Sequence, residues 1–294
     1  MSARPHIECA APRFEPAPVG EGLPVSTDRA HGISVVIPTY QEAVCLPSTL
    51  PRIADSARRL GYPYELVVVD DASPDGTATV AEEVALRSGI PVRVVRRTGV
   101  RSLSAAVVDG ARAARYPVVC VMDADLSHDP EALADVVRPV VSGEVEVCIG
   151  SRYAAGGVVD GWPLARALIS RLGTAAARLL ARTTDPLSGY FSCRRELLDG
   201  TVLPLRPRGY KILLEVLARG GRSLRARDVP IQFRDREAGS SKFGVRQAAQ
   251  FAVQCVGLAA SRLFARARSR RRACVPASGA PLPMTPVRRE GGVM

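Results

Sequence analysis

Two acidic residues, Asp123 and Asp125, are the strongest sign of chemistry in this chain of 294 residues. They follow an apolar run, YPVVCVM at 116–122, which has the composition of a buried β-strand. Carboxylates just past a strand end can converge on one hard cation, and Mg²⁺ and Mn²⁺ prefer oxygen ligands. Either residue could instead cap the next helix, but Asp129 before Pro130 suits that position better. We therefore predict a metal site at this strand end.

Two further polar segments follow apolar runs. In VVVDDASPDGT, Asp71 could accept hydrogen bonds from a ribose hydroxyl or a base N–H. Ser73 and Asp75 are expected to shape the turn or cap the next helix. The segment PTYQE at 38–42 directly follows the first apolar run, and on its residues alone it could equally be a simple helix entry.

The elements that position these residues alternate between strand and helix. Apolar, β-branched runs predict strands, and the amphipathic stretches between them predict helices. The strands are expected at 33–38, 65–70, 91–95, 116–123 and 146–151, and the helices near 43–60, 76–88, 102–115 and 130–142. This order predicts an α/β fold with a Rossmann-like, mostly parallel sheet flanked by helices. Ligands bind such sheets outside the carboxyl ends of the strands, where the three polar segments lie.

The chain after residue 151 is less regular. We predict helices at 163–182 and 209–219, with a turn at Asp185-Pro186 and the segment SGYFSC between them. An extended run at 223–233 and an amphipathic helix at about 243–265 follow.

Composition restricts the partners of the chain. The formal net charge is +11, which suits nucleic acid, an anionic membrane or a phosphorylated substrate. Only Lys211 and Lys242 are lysines, so these two sites could require a compact ammonium group.

The seven cysteines lack metal-site spacing, which argues against a zinc site or disulfide framework and favours a reducing compartment. We expect neither a signal peptide nor a transmembrane helix.

A series of motifs occurs in order along about 33–245: VVIPTYQE, VVVDDASPDGT, MDADLSHDPE, GSRY, GWPLARALIS, DPLSGYF, GYKILLE and VPIQFRDREAGSSK. This series resembles the family 2 glycosyltransferases of GT-A fold, and within them the polyprenol-phosphate (dolichol-phosphate) mannose synthases. The resemblance implies an inverting enzyme that moves mannose from GDP-mannose to a polyprenyl (dolichyl-type) monophosphate. It also implies a divalent metal cofactor, Mg²⁺ or Mn²⁺.

The resemblance further implies roles at matching positions. The guanosine site would be lined by Pro38, Tyr40, Glu42, Val69 and Asp71. The metal and the diphosphate would be held by Asp123, Ala124 and Asp125, with Ser127 as a further metal ligand where many members have Gln. The phosphates would be surrounded by Arg152, Arg166, Ser170, Lys211, Arg236 and Lys242. The catalytic residues would be Asp125, Arg236 and Lys242.

The expected mechanism follows from charge. A lipid phosphate is already an anionic nucleophile near neutral pH, so no strong general base is required, and His128 is left without a role. Catalysis would consist of positioning and of neutralising the departing diphosphate. Val100 or Arg101 stands where the family often has a Lys. A mobile loop at about 234–244 could close on the donor.

Two other functions stay open on the sequence. The same fold could transfer glucose or another sugar from a UDP donor to a lipid phosphate. The chain could instead be a non-enzymatic basic protein that binds nucleic acid through the six arginines of 262–272. No nucleic-acid motif accompanies that run, so we expect no nucleic-acid partner.

The resemblance completes the predicted domain organisation. We divide the chain into a disordered N-terminal arm (1–31), a GT-A catalytic domain (32–245), an amphipathic C-terminal helix (246–268) and a disordered basic tail (269–294). The apolar stripe of that helix could pack on the catalytic domain or face a membrane. With the arginine run beside it, we expect a cytoplasmic protein, peripheral on the inner face of the membrane, which is anionic. A membrane-protein partner could assist.

Overall fold

The computed structural model describes residues 31–207, 210–234 and 251–261. The predicted arm before residue 31, the predicted loop after residue 234, the C-terminal helix apart from 251–261, and the tail lie outside the described residues.

The elements agree closely with the sequence pattern. The strands are β1 (Ile33–Thr39), β2 (Tyr64–Asp70), β3 (Val92–Arg96), β4 (Val118–Val121), β5 (Val147–Ser151), β6 (Val158–Val159), β7 (Phe191–Arg194), β8 (Ala226–Pro230) and β9 (Gln232–Phe233). The helices are α1 (Leu46–Arg58), α2 (Thr77–Ser88), α3 (Leu103–Ala113), α4 (Leu133–Val141), α5 (Leu164–Arg178) and α6 (Ile212–Gly220). Residues 251–261 are also helical. Asp129 precedes a short 3-10 turn that begins at Pro130, and its side chain accepts from the Glu131 amide, which confirms the predicted cap.

Seven strands form one mixed sheet in the order β3-β2-β1-β4-β7-β5-β8. All neighbours are parallel except β7, which runs antiparallel to both β4 and β5. The predicted α/β class and mostly parallel sheet are therefore confirmed. The sequence did not reveal β7 as a strand, because four residues are too few to show a period.

The core lies on both faces of this sheet. Successive strand side chains point to opposite faces, so Val36 packs with α3 and α6 while Val35 and Ile37 pack with α1 and α4. Gly110 lets α3 approach β1 closely, since a Cβ there would lie 2.5 Å from Val36. The helices are thereby held at fixed positions around the carboxyl edge of β1, β2 and β4.

The described part of the C-terminal helix belongs to this core. Leu258 is buried, and Phe251, Cys255 and Ala259 pack against the cluster on the α3 and α6 face. Much of the apolar stripe within 251–261 therefore packs on the catalytic domain. Packing on the domain is the first of the two alternatives that the sequence left open, the other being a face toward a membrane.

Candidate active site

The carboxyl edge of the sheet contains unusual backbone. Among the described residues, Gln41, Ala72 and Leu126 are the non-glycine residues with positive φ, at 57°, 57° and 56°. They follow β1, β2 and β4, respectively. Such conformations cost about 1–3 kcal/mol and concentrate at functional sites. The positive φ angles therefore indicate a binding site at this edge of the sheet.

The two acidic residues after β4 occupy the middle of that edge. The Asp123 side chain is 32% exposed, whereas Asp125 is buried. The Ser127 amide donates to Asp125 Oδ1 at 3.1 Å, and the Thr49 hydroxyl donates to the Ala124 carbonyl at 2.8 Å. These bonds hold both carboxylates in one short turn anchored to α1.

The surroundings of Asp123 leave room for a cation. Gly189 lies so close that a Cβ there would be 3.2 Å from Asp123 Oδ2 and 3.2 Å from His128 Cε1. In the described part of the chain no group of three or more His, Cys, Asp and Glu residues could hold a metal. Two carboxylates alone suit Mg²⁺ or Mn²⁺ when water and substrate phosphate complete the coordination. Asp123 and Asp125 therefore fit an ion of that kind.

Ser127 remains a predicted ligand. The residue is 2% exposed, and its carbonyl accepts the Arg234 amide at 3.1 Å. Its backbone therefore holds the turn together.

His128 is a structural residue of the site. Its Nδ1 accepts the Asp123 amide at 3.3 Å, and its ring lies 5.2 Å from that of Tyr190 and 5.4 Å from that of Phe233. Burial lowers the pKa of His128, although the Asp123 and Asp125 charges act in the opposite direction. A neutral imidazole is the form that can accept at Nδ1, so His128 positions the Asp123 backbone.

A buried ion pair lies beside the acidic turn. Arg152 follows β5 and donates to both carboxylate oxygens of Asp185, at 2.7 and 2.9 Å. The Arg152 side chain is 10% exposed and that of Asp185 is fully buried. Arg152 is thus not the solvated surface charge that its residue type alone favours, and Asp185 is not merely a turn residue. The pair presents a cation in a fixed orientation.

Aromatic rings complete the surroundings of Arg152. Its guanidinium lies 5.3 Å from the ring centre of Tyr153, 5.6 Å from that of Trp162 and 5.5 Å from that of Phe233. A cation near aromatic faces is stabilised by the ring quadrupole. The Trp162 Nε1 is buried and has no hydrogen-bond partner among the described residues.

The same rings connect two further predicted residues to the site. The Arg166 guanidinium stacks on Trp162 at 4.4 Å from the ring centre. The Ser170 hydroxyl is 2.8 Å from the Tyr153 hydroxyl. The first turns of α5 therefore flank the Arg152 side of the site.

Lys211 supplies a second enclosed cation immediately before α6. Its ammonium donates to the Leu187 carbonyl at 2.8 Å. Burial lowers the pKa of Lys211 to about 8; the Arg152 charge acts in the same direction, and the Asp185 and Asp123 charges oppose it. Lys211 therefore shares its electrostatic surroundings with the acidic turn.

On the other side of the site, Asp71 is already engaged within the protein. One carboxylate oxygen accepts from Arg97, and the other accepts the Ser102 amide at 2.8 Å. Arg97 also binds Asp109 of α3 at 2.8 Å. Asp71 thus positions the start of α3, and its predicted contact with a nucleoside would use its remaining lone pairs.

The loops after β1 and β2 are joined by side chains. Ser73 accepts the Gln41 amide at 2.9 Å, and Asp75 Oδ2 accepts the Ala43 amide at 3.3 Å. The N-cap of α2 is Gly76, without a side-chain bond. The predicted turn role of Ser73 and Asp75 is confirmed, and Asp75 Oδ1 also accepts the amide of Thr77, the first residue of α2, at 3.1 Å.

Tyr40 lies at this loop pair and is covered by a cation. The Arg101 guanidinium is 4.3 Å from the centre of its ring. Val100 and Arg101 are both exposed, and Arg101 is the one of the two that contacts the Tyr40 ring. The Glu42 amide donates to the Thr77 hydroxyl at 3.0 Å, which fixes the backbone beside Tyr40.

The remaining predicted residues are placed differently. Pro38 lines a small cavity with Asp123 and Gly189. Val69 is fully buried in the core, so any ligand contact would come from its backbone. Arg236 and Lys242 lie outside the described residues.

Sequence reasoning missed several residues of this site. Gly189 and Asp185 lie in DPLSGYF and Trp162 in GWPLARALIS, so motifs contained them without indicating their contacts. Phe233 likewise lies in VPIQFRDREAGSSK, whereas Arg97 carried no signal of its own, since it acts through Asp71 and Asp109, which are distant in sequence.

Three comparisons with known proteins agree with this architecture. Residues 34–201 match the family described as Glycosyl transferase family 2. The chain is 42% identical over 214 residues to a dolichol-phosphate mannosyltransferase of Pyrococcus furiosus, which covers 71% of this chain and 58% of that protein. It is 36% identical over 215 residues to a polyprenol monophosphomannose synthase of Mycolicibacterium smegmatis, which covers 71% of this chain and 79% of that protein.

Solved structures show the same fold. The glucosyl-3-phosphoglycerate synthase of Mycobacterium tuberculosis, in complex with Mn²⁺, uridine diphosphate and glucosyl-3-phosphoglycerate, matches with a TM-score of 0.56. The match is 25% identical and covers 79% of this chain and 80% of that one. A Mn²⁺ ion is thus bound in a structural relative.

Proposed function

The chain belongs to Glycosyl transferase family 2, and from this premise we propose that it transfers mannose from GDP-mannose to a polyprenyl (dolichyl-type) monophosphate. The products would be polyprenyl-phosphate mannose and GDP. Four relatives at 32–42% identity, named as dolichol-phosphate mannosyltransferases or a polyprenol monophosphomannose synthase, support this choice.

The observation that carries the proposal is the meeting of opposite charges at one edge of the sheet. Asp123 and Asp125 offer carboxylates for a divalent cation, and Arg152 and Lys211 present enclosed positive charges nearby. This combination suits a sugar donor with a diphosphate leaving group, whose negative charge must be neutralised as it departs. A reaction that needs only one carboxylate as a general base would not need these cations.

The reaction balances without a general base. An anionic oxygen of the acceptor phosphate forms a bond to C1 of mannose, from the face opposite the leaving group. The bond between C1 and the diphosphate oxygen breaks, and GDP leaves with the electron pair. Neutral, buried His128 takes no part, because it already accepts the Asp123 amide.

The proposal gives each of the described residues a task. Asp123 and Asp125 would hold Mg²⁺ or Mn²⁺, which when bound neutralises charge on the diphosphate. Arg152, kept in position by Asp185, and Lys211 would stabilise the negative charge that develops on the leaving group. Arg236 and Lys242 stay predicted as further phosphate contacts.

A UDP-sugar donor is the second candidate. The structural match to a synthase solved with uridine diphosphate favours it, because the two chains share the fold that holds the nucleotide. The two candidates would differ at the base of the nucleotide, which Tyr40 and Asp71 are predicted to contact.

We also propose a peripheral location on the inner face of the membrane, where a lipid acceptor is available. Across the described ranges, no helix has the length and apolarity that a membrane span requires. The arginines of 262–272 lie outside those ranges and stay the predicted anchor to anionic lipid. A membrane-protein partner stays a prediction.

The decisive experiment measures GDP release from GDP-mannose with a short-chain polyprenyl phosphate and Mn²⁺. Release should require the phosphate of the acceptor and should stop when EDTA is added. UDP-glucose in place of GDP-mannose tests the second candidate in the same assay. If the protein turns over neither donor, the proposal is overturned. If GDP release continues in EDTA, the reaction does not depend on a divalent metal.

A further inference from the structure

A cavity of about 570 Å³ opens at the edge of the sheet opposite to the candidate active site. It lies where α5 and α6 end and where β8 begins. Leu258 and Ser261 of the helical segment 251–261 line another side of it. A volume of this size is within the range of small-ligand sites.

The topology of the sheet separates this cavity from the candidate active site. β8 runs parallel to β5, and its first residue, Ala226, lines the cavity. Its last residue, Pro230, pairs with Ser151, which directly precedes Arg152 of the candidate active site. Four steps of extended chain at about 3.3 Å each separate the two ends of the strand by about 13 Å. The cavity is therefore a site of its own.

The charge at the cavity has one sign. Of the described residues that line it none is acidic, and four are arginines: Arg178, Arg182, Arg219 and Arg222. Within the described ranges, the exposed Arg182 and Arg222 make neither a hydrogen bond nor an ion pair. Many exposed arginines elsewhere are paired with a carboxylate, as Arg59 is with Glu131 at 2.6 Å. Two guanidinium groups without such a partner at one cavity favour an anionic ligand.

The carboxylates closest in sequence to the lining are engaged within the protein. Glu215 accepts from the Arg219 guanidinium at 2.8 Å and from the Arg206 amide at 2.6 Å. Asp228 accepts the Thr184 amide at 2.6 Å. These bonds use the two carboxylates and leave the two exposed arginines for a ligand.

The cavity also offers apolar surface. Leu217 and Ala218 of α6 and Leu258 of the C-terminal segment are buried side chains that line it, and Leu179 lies at its opening with 85% exposed. A bare phosphate ion would leave this surface in contact with water, whereas an apolar group attached to the phosphate would cover it. The lining therefore suits an organic phosphate better than an inorganic one.

We propose that this cavity is a second ligand site, which binds a phosphate monoester with its phosphate group on Arg182 and Arg222 and its apolar group against Leu217 and Leu258. A phosphate monoester carries between one and two negative charges near neutral pH, and its oxygens match the fork of a guanidinium group. The site is independent of the proposed function, since it uses none of the residues assigned there. A water-soluble phosphate ester and a lipid head group share this chemistry, and the test distinguishes them.

The test is calorimetric titration of the full chain with hexyl phosphate. Wild type should bind it at least about ten-fold more tightly than inorganic phosphate or 1-hexanol, because only hexyl phosphate meets both the arginines and the apolar surface. Arg182→Gln with Arg222→Gln should weaken this binding by at least about ten-fold. Leu179→Ser should weaken it about three-fold and leave the binding of inorganic phosphate unchanged. Any second binding event at the candidate active site should persist in these variants.

Matched controls remove the same groups elsewhere. Arg52→Gln with Arg138→Gln removes two exposed charges from α1 and α4. Leu86→Ser removes a leucine that is 85% exposed on α2. Both controls should bind hexyl phosphate as wild type does, and urea unfolding should show similar stability for all variants. The site is overturned if wild type does not bind hexyl phosphate, if the Arg182 and Arg222 variant binds it like wild type, or if the controls lose as much.

A vesicle experiment identifies the source of the phosphate. Wild type and the Arg182 and Arg222 variant are sedimented with phosphatidylcholine vesicles that contain phosphatidic acid, whose head group is a phosphate monoester. If the variant loses hexyl phosphate but binds these vesicles like wild type, the ligand is a water-soluble ester. If it loses both, the ligand is a lipid head group. Loss of vesicle binding in a protein that never binds hexyl phosphate would overturn the cavity as a ligand site.

The GDP-release assay separates this inference from the proposed function. The Arg182 and Arg222 variant should release GDP at the wild-type rate with a short-chain acceptor, because the cavity lies at the opposite edge of the sheet. Normal wild-type turnover without hexyl phosphate binding overturns the second site alone. Absent wild-type turnover with the expected calorimetric results overturns only the proposed function.

Discussion

The two sides of the candidate site hold their charges in different ways. On the β1 to β3 side, the Asp71 carboxylate is engaged by Arg97 and by the Ser102 amide, so the charge is used to shape loops. On the β5 and β7 side, Asp185 holds Arg152 and the Leu187 carbonyl accepts from Lys211, and the Asp123 charge acts to raise the pKa of both cations.

This difference suits the two parts of a nucleotide sugar. A nucleoside is recognised by shape and by a few hydrogen bonds, so its side of the site needs a rigid loop framework. A diphosphate carries charge, so its side needs cations whose orientation is set before the ligand arrives. Substitutions on the two sides should therefore produce different losses, and the largest losses should arise where the sides meet.

The largest effect is expected at the acidic turn. Asp125→Asn and Asp123→Asn should each lower the rate of GDP release by about 10³-fold, because the charge of the leaving diphosphate is left uncompensated. Asp135→Asn removes an exposed carboxylate of α4 and should leave the rate unchanged. Urea unfolding should show similar stability for all three variants. Substantial activity in both site variants would remove the metal assignment.

The next effect is on stability, and it tests the enclosed cations. Asp185→Asn leaves the Arg152 guanidinium buried without its partner, so the free energy of unfolding should fall by about 3–5 kcal/mol. The control is Glu83→Gln, which breaks an exposed pair with Arg87 and should cost about 0.5 kcal/mol or less. Equal costs in urea titrations would show that the Arg152 pair behaves as a surface contact.

A smaller effect is expected from closing the space beside Asp123. Gly189→Ala places a methyl group 3.2 Å from Asp123 Oδ2, so the affinity for Mn²⁺ in the presence of GDP should fall on the order of ten-fold. Gly173→Ala in α5 meets only ordinary contacts of 3.7 and 3.8 Å and should leave that affinity unchanged. Calorimetric titration with Mn²⁺ compares them, and unchanged affinity in Gly189→Ala would place the metal elsewhere.

The smallest effect is a pH dependence on the cation side. Since the pKa of Lys211 is lowered to about 8, its charge is lost as pH rises through that value. GDP affinity should then weaken by less than about ten-fold per pH unit, with proton uptake on binding. Lys211→Arg keeps its charge and should flatten the profile. If the GDP affinity of the wild type varies with pH as little as that of Lys211→Arg, Lys211 does not contact the phosphates.

The lowered pKa of Lys211 also affects the free energy of unfolding, which depends on pH in the opposite direction to the GDP affinity. The unfolded chain holds the Lys211 proton up to about pH 10.5, whereas the folded protein releases it near pH 8. Between these values the unfolded state binds more protons, so the contribution of Lys211 to stability rises with pH. Below pH 8 the cost of enclosing the ammonium is present in full.

Much of the fold could be predicted because its signals are local. β1, β2, β3 and β5 are apolar, β-branched runs, and each predicted position agrees with the structure within one or two residues. β7 could not be predicted, because its four residues show no period and its antiparallel place between β4 and β5 depends on long-range pairing.

The residues of the candidate site also differ in whether their signal in the sequence is local or depends on long-range contacts. The acidic turn after β4 was visible, since carboxylates that follow a buried strand must lie at the carboxyl edge of the sheet. The partner of Arg152 was not visible, because Asp185 lies 33 residues away and reaches it only in the folded chain.

By itself, the sequence determined the alternation of strands and helices, the edge of the sheet at which ligands bind, and the acidic pair that lies there. Only the tertiary structure decided which faces are covered. Both α5 and α6 are amphipathic, yet two of 15 residues are buried in α5 and seven of nine in α6. The physical reason is that hydropathy gives a helix an apolar face, but whether the sheet or the solvent lies against that face depends on how distant elements pack.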